Sequence, residues 1–156
     1  MKVKIYTIAF NRPDILKYQI DSFKTYIQDD LEFHVVYDTR DNEHLEEFSR
    51  ICEENNVSLH HHISQPGNTP SFYNSDAIQW TYHNFIKSDK EDFITLILDH
   101  DVFLIEDFNV SEFMDGYDLA GLIQTRGSVE YVWQGLIFFR KSSLDDLDFE
   151  IGRAHV

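Results

Sequence analysis

The most informative segment of the chain is Thr95-Leu96-Ile97-Leu98-Asp99-His100-Asp101-Val102. Its first half is a short apolar run, which is typical of a buried strand. Two carboxylates follow at positions i and i+2, where that strand ends. Hard divalent cations such as Mg²⁺ and Mn²⁺ prefer oxygen ligands, and one or two carboxylates leave room for water and substrate phosphates. The segment therefore predicts a strand that presents Asp99 and Asp101 to a metal ion, and the alternative is a solvated turn.

Strand and helix patterns alternate along the rest of the chain. Strands are predicted over about 3–9, 33–37, 57–63 and 93–98, and helices from Pro13, over 43–55 and around Ile78, Tyr82 and Phe85. Two later apolar runs, 119–123 and 132–139, have no helix-length segment between them, which favours an antiparallel edge. The whole pattern predicts an α/β fold, a three-layer α/β/α sandwich with a mostly parallel sheet, as one domain over 1–156.

The residues that directly follow the strands are the candidates for a binding site, because ligands of open parallel sheets bind outside the carboxyl ends of the strands. They comprise Phe10 to Arg12, Asp38, 65–69 and Asp99 to Asp101, and we expect them to converge. A carboxylate at Asp38 can accept hydrogen bonds from a ribose hydroxyl or a base imide, or can merely cap the turn that follows. Asn11 and Arg12 can face the same ligand, although Asn11 can also serve as a helix cap.

The composition of the chain excludes several classes of binding partner and indicates a compartment. The formal net charge of −15 would repel phosphate backbones, so duplex nucleic acid is not an expected partner. No stretch reaches the roughly 20 apolar residues that a bilayer requires, so no transmembrane segment is predicted. The single cysteine, Cys52, cannot form an internal disulfide, which suits the reducing cytoplasm. Cys52 shares a helical face with Leu45 and Phe48, which predicts an unreactive, buried thiol.

The histidine run His60-His61-His62 is a possible metal cluster with an alternative explanation. On a strand, His60 and His62 face one way and His61 the other, so at most two ligands share a face. The pattern therefore favours a solvated strand end over a zinc site.

Four segments together resemble the glycosyltransferases of the GT-A fold, which are nucleotide-diphospho-sugar transferases. The segments are Tyr6-Thr7-Ile8-Ala9-Phe10-Asn11-Arg12-Pro13, Val35-Val36-Tyr37-Asp38, Leu98-Asp99-His100-Asp101 and Val132-Trp133-Gln134-Gly135-Leu136-Ile137-Phe138-Phe139-Arg140. The resemblance implies that Asp38 faces the nucleoside and that Asp99 contacts the ribose. It also implies that Asp99 and Asp101 bind Mn²⁺ or Mg²⁺ on the diphosphate, with Asp101 as the surer ligand.

The resemblance extends to two further segments. The helix that opens near Pro70 occupies the place where many members carry an Arg-Asn pair. The Arg is absent here, and Tyr73, Asn74 and Asp76 are the nucleotide-binding candidates. The segment Trp133-Gln134-Gly135 is similar to the part of the family that lines the acceptor or sugar pocket. The alternative is a strand glycine beside a packed tryptophan.

The activity that the resemblance implies is metal-dependent transfer of a sugar from a nucleotide-diphosphate donor to a hydroxyl of a carbohydrate or another acceptor. Inverting members need a carboxylate base near the acceptor, and Asp145 and Asp146 are candidates that follow the last strand. Members are usually longer than this chain, so we expect a C-terminal truncation.

Three other functions compete with this one. A non-catalytic nucleotide- or carbohydrate-binding domain of the same fold would suit a short chain. A haloacid-dehalogenase-like phosphatase also has Asp-x-Asp after a strand, but its motif wants Thr or Val where this chain has Phe103. A sugar nucleotidyltransferase would need a glycine-rich phosphate loop after the first strand, and that loop is missing from the sequence.

Overall fold

The computed structural model describes residues 1–39, 42–64, 69–143 and 149. Six strands form one sheet in the order β3-β2-β1-β4-β6-β5. Their bounds are β1 Lys2–Ala9, β2 Asp30–Asp38, β3 Ser58–His62, β4 Ile94–Asp99, β5 Leu119–Arg126 and β6 Val129–Arg140. Strands β1 to β4 pair in parallel, while β6 is antiparallel to both β4 and β5. The mostly parallel sheet and its antiparallel edge are thus confirmed.

Helices connect the parallel strands. They are α1 Pro13–Tyr26, α2 Leu45–Glu54, α3 Pro70–Thr81 and the short α4 Val110–Phe113. A π-helical turn, Tyr82–Ile86, continues α3 and carries Tyr82 and Ile86 into the core. Helix α4 is not predicted from the sequence, because four residues carry too short a periodic pattern.

Successive side chains of a strand point to opposite faces, and helices pack on both faces of the sheet around β1, β2 and β4. On one face, Val35 and Leu98 belong to the core that helices α1 and α2 complete. On the other face, Val36 and Ile97 pack in the core that α3 and its π-helical turn complete. The observed architecture is therefore mixed α/β, with helices on either side of a six-stranded sheet.

Helix α1 begins as its sequence predicts, with one correction. Pro13 occupies the first turn, and Leu16, Ile20 and Phe23 form the buried stripe. The N-cap is Arg12 rather than Asn11, and its side chain makes no capping hydrogen bond. The interpretation of Asn11 as the cap is therefore wrong. The physical reason lies in Pro13, which disfavours a helical conformation for the residue immediately before it, so that the helix begins at Pro13 and Arg12 becomes its N-cap.

The order of the strands reverses between β1 and β4. The chain runs outward from β1 through β2 to β3, and then returns to place β4 on the other side of β1. Helix α1 leaves β1 on one face, whereas α3 precedes β4 on the other. The connections therefore diverge at the carboxyl ends of β1 and β4, which is the position where open α/β sheets have a ligand crevice.

Candidate functional site

Asp99 and Asp101 lie at this crevice. Asp99 is the last residue of β4 and pairs with Ile8 of β1. The chain then turns, and Val102 N donates to the carbonyl oxygen of Asp99 at 3.3 Å. Asp99 is half-buried and Asp101 is exposed. A bound ligand can therefore reach both carboxylates from the open end of the sheet.

The negative charges of Asp99 and Asp101 suit the binding of a cation. Burial raises the pKa of Asp99, and the negative charge of Asp101 raises it further. Within the described part of the chain, no three His, Cys, Asp or Glu side chains form a group that could hold a metal ion. Two carboxylates suffice for Mg²⁺ or Mn²⁺, because these ions take oxygen ligands and keep waters and substrate phosphates as the others. The donor set is therefore compatible with the predicted cation.

Asp38 lies on the same edge and the same face of the sheet. Asp38 stands two residues after Val36, and Asp99 stands two residues after Ile97, so each carboxylate is on the same face as that apolar residue. Val36 and Ile97 both pack toward α3. Strands β2 and β4 flank β1, so they are about 10 Å apart at a spacing of about 4.8 Å per strand. Asp38 is buried, and the Ser64 hydroxyl donates to its Oδ1. A ligand that contacts both Asp38 and Asp99 must therefore be elongated along this edge.

Helix α3 brings Asp76 to the end of β3. The Asp76 Oδ2 atom lies 3.0 Å from Nε2 of His62, and the His62 ring stacks on Trp80 with a centroid distance of 4.7 Å. Tyr73 and Asn74, one turn earlier on α3, are both half-buried. The three candidates from α3 thus lie on one helix near the end of β3, and His62 contacts Asp76.

Asn11 and Arg12 follow β1 and are exposed at the crevice. The Arg12 guanidinium donates twice to Asp14, from Nε to Oδ1 at 2.9 Å and from Nη2 to Oδ2 at 2.8 Å. An exposed ion pair of this kind contributes little to stability, because solvent screens its charges. A diphosphate can therefore compete with Asp14 for the guanidinium.

The segment from Trp133 to Gly135 lies beside Asp99, because Leu136 pairs with Leu98. A Cβ atom at Gly135 would lie 2.0 Å from Cζ2 of Trp133, so the indole ring itself requires glycine there. Gln134 is buried, and its Nε2 donates to the Phe149 carbonyl at 2.9 Å. The structure thus supplies a packing reason for Gly135 beside Trp133, while contact of this segment with a sugar stays a prediction.

Three residues of the site were not predicted. His62 contacts Asp76, and Ser64 contacts Asp38. Both lie just before positions 65–69, which were predicted to belong to the binding site. Gln19 of α1 contacts the turn after Asp99. Its signal was present in the sequence, since a glutamine interrupts the apolar stripe formed by Leu16, Ile20 and Phe23.

The histidine run is packed rather than solvated. His60 faces the π-helical turn, where its ring centroid lies 4.0 Å from that of Phe85. His61 stacks on Tyr37, on the opposite face of the sheet. The alternation of the three side chains is confirmed, whereas the interpretation of a solvated strand end is wrong.

Some predicted residues lie outside the described part of the chain. These are the candidate bases Asp145 and Asp146 and positions 65–68 of the loop after β3. Among the described residues, no helix combines the length and the hydropathy that crossing a membrane requires.

Comparison with known proteins gives the following picture. No protein-family model matches the chain, and no curated protein matches it. Among solved structures, the mannosyltransferase PcManGT from Pyrobaculum calidifontis, in complex with GDP-Man and Mn²⁺, is similar with a TM-score of 0.42 and 16% sequence identity. The alignment covers 65% of this chain and 28% of that one. The chain thus spans little more than a quarter of that structure.

Proposed function

We propose that the chain is a metal-dependent glycosyltransferase of the GT-A type, which transfers a sugar from a nucleotide-diphosphate donor to an acceptor hydroxyl. The observation that carries this proposal is the position of Asp99 and Asp101 at the crevice where the strand order reverses. Asp38 lies on the same edge and face, at a separation that suits an elongated ligand with a nucleoside at one end and a diphosphate at the other.

Each group of residues has a role in this reaction. Asp38 orients the nucleoside, and Tyr73, Asn74 and Asp76 complete that end of the site. Asp101 and Asp99 are the residues that would hold the cation, while Arg12 is available for the outer oxygens of the diphosphate. A bound Mg²⁺ or Mn²⁺ neutralises the negative charge that develops on the departing nucleoside diphosphate.

The chemical step exchanges one bond for another at the anomeric carbon. The acceptor hydroxyl oxygen forms a bond to that carbon, and the bond from the carbon to the diphosphate oxygen breaks. In an inverting reaction, a carboxylate base takes the hydroxyl proton, and Asp145 and Asp146 are the candidates.

Gln134 favours the alternative of a non-catalytic binding domain. This predicted pocket residue is buried, and its amide donates to Phe149 rather than into the crevice. Such a domain would bind a nucleotide or a nucleotide sugar without turning it over. Turnover therefore separates the two functions.

Ligand-dependent thermal stability tests the proposal. UDP, GDP, dTDP and CDP are titrated with and without Mn²⁺ into the wild type, Asp101→Asn and the control Asp107→Asn, an exposed aspartate of the same loop. A ligand at 100 times its Kd stabilises the native state by about 2.7 kcal/mol. We expect one nucleotide to stabilise the wild type and the control only with Mn²⁺, and to leave Asp101→Asn unchanged.

Two results would contradict this proposal. If no nucleotide stabilises the wild type in Mn²⁺, the site does not bind a nucleoside diphosphate. If one does, the corresponding nucleotide sugar is supplied with acceptor sugars, and release of nucleoside diphosphate is measured. Binding without release would identify the non-catalytic domain.

A further inference from the structure

Gln19 is a fully buried polar residue on the apolar face of α1. Its side chain has no solvent exposure, and it lies among Leu16, Ile20 and Phe23. Buried polar groups lower stability unless hydrogen bonds compensate for their lost hydration. The partners of Gln19 therefore indicate why a glutamine occupies this position.

Both hydrogen bonds that the Gln19 amide donates go to the turn after β4. Its Nε2 lies 2.7 Å from the carbonyl oxygen of Asp99 and 3.0 Å from that of Val102. These two residues also bound the turn that the hydrogen bond from Val102 N to Asp99 O closes. Gln19 thus holds the two ends of the segment that contains Asp99, His100 and Asp101.

The acceptor atom of the same amide has no partner in the part of the chain that the structure describes. Gln19 Oε1 is buried and makes no hydrogen bond to any of the described residues. A buried acceptor without a partner lowers stability, so an apolar side chain of equal size would serve the core at least as well. Packing alone does not account for this glutamine, whereas its contact with the turn does.

Two further side chains hold the same segment. Ser22, one turn after Gln19 on α1, accepts a hydrogen bond from Leu104 N at 3.3 Å. On the other side, Nδ1 of His100 lies 3.3 Å from the carbonyl oxygen of Ile8. The backbone that presents the two carboxylates is therefore fixed to α1 and to β1.

We infer that Gln19 is a positioning residue for cation binding at Asp99 and Asp101. This inference rests on the proposed function and assigns a role in it to a residue that touches neither cation nor substrate. Residues that orient metal ligands through hydrogen bonds typically change metal affinity about 10- to 100-fold when they are replaced. Gln19 acts in this way through the backbone of the turn instead of through the carboxylates themselves.

The test compares Gln19→Met with Ile20→Val. Methionine keeps the length of the side chain and removes both hydrogen bonds. Ile20→Val removes one buried methylene from the same helix and leaves the turn untouched, so it controls for general loss of stability. Ser22→Ala is a milder second variant, which removes the acceptor for Leu104 and the hydroxyl that donates to the Gln19 carbonyl, and it remains informative if Gln19→Met does not fold.

Two measurements are made on each variant. Hydrogen exchange of residues 100–104 reports whether the turn is held, without any ligand. The Mn²⁺ concentration for half-maximal thermal stabilisation, at a saturating level of the best nucleoside diphosphate, reports the cation site. We expect faster exchange and a roughly 10-fold or greater rise in that Mn²⁺ concentration for Gln19→Met, a smaller change in the same direction for Ser22→Ala, and wild-type values for Ile20→Val.

The outcomes separate this inference from the proposed function. If the wild type binds a nucleotide with Mn²⁺ and Gln19→Met needs no more Mn²⁺ than Ile20→Val, the positioning role is overturned and the proposed function stands. Unchanged exchange in residues 100–104 of Gln19→Met overturns the role as well. If the wild type binds no nucleotide, the proposed function fails and the inference fails with it.

Discussion

The imidazoles of His34 and His60 form a hydrogen-bonded pair between β2 and β3, with Nδ1 of His34 3.0 Å from Nε2 of His60. The second ring nitrogen of His34 lies 2.6 Å from Oε1 of Glu32. These contacts form one chain when both rings are neutral, because His60 then donates to His34 and His34 donates to Glu32. Burial lowers the pKa of both histidines, which favours their neutral forms.

The first prediction is that stability falls in mild acid because of this pair. Burial, together with the adjacent His34, lowers the pKa of His60 from 6.5 to about 4. The unfolded chain therefore takes up a proton that the folded chain resists, so the stabilisation is complete above pH 6.5 and is lost as the pH falls from 6.5 toward 4. Urea unfolding at several pH values in this window measures the slope.

A matched variant isolates the contribution of His60. His60→Gln keeps a donor for His34 and a side chain against Phe85, but it does not titrate. We expect a flatter dependence of its unfolding free energy on pH between 6.5 and 4. The same slope in the variant and the wild type would show that His60 does not cause the acid sensitivity.

The second prediction is that Asp99→Asn stabilises the protein in the absence of metal. Burial raises the pKa of Asp99, with a further contribution from Asp101, so its charged form is unfavourable in the fold at neutral pH. Asparagine has nearly the same shape and no charge. We expect a higher Tm without Mn²⁺ for Asp99→Asn and no change for Asp107→Asn. A lower Tm for Asp99→Asn would mean that its carboxylate stabilises the metal-free fold.

The third prediction concerns the thiol of Cys52. It is 2% exposed, and burial raises its pKa from 9.0 to about 12, which lowers the thiolate fraction at pH 8 about 1,000-fold. We therefore expect the native protein to react with a thiol reagent only through unfolding, and to react at once in guanidinium. Since the sequence has one cysteine, the reaction reports this site alone. Rapid labelling of the native protein would contradict the burial of Cys52.

The fourth prediction is that Gly135→Ala destabilises the protein through Trp133. The added methyl group would meet the indole ring at 2.0 Å, and overpacking of this kind costs about 1–3 kcal/mol. Urea unfolding measures the loss, and tryptophan fluorescence reports displacement of the ring. In a Trp133→Leu background, the alanine should cost less. An equal cost in both backgrounds would assign the effect to the backbone of Gly135.

The sheet could be predicted from the sequence because its signals are local. Apolar runs mark the parallel strands, and the stripe through Leu16, Ile20 and Phe23 marks α1. The candidate carboxylates were also predictable, since Asp38, Asp99 and Asp101 stand where apolar runs stop. Their places in the sequence were sufficient to predict that they lie at one edge of the sheet, because the carboxyl ends of parallel strands share that edge.

The contacts that organise the site were not predictable in the same way. The partners of Gln19 are backbone carbonyls about eighty positions away, and a carbonyl carries no sequence signal. The sequence likewise left open whether Gly135 makes room for a ligand or for Trp133, because both would select glycine. His60 was expected to be solvated because the π-helical turn that sets Phe85 against it has no recognisable pattern.

The central position of β1 has a consequence for how the chain is made. Val3 pairs with Leu31 of β2 and with Ile94 of β4, so one edge of β1 finds its partner early in synthesis and the other much later. At the usual rate of about 5–20 residues per second, the second edge waits on the order of ten seconds. During that interval, the nascent chain exposes the unpaired backbone of β1, and such an edge is a template for pairing with another chain.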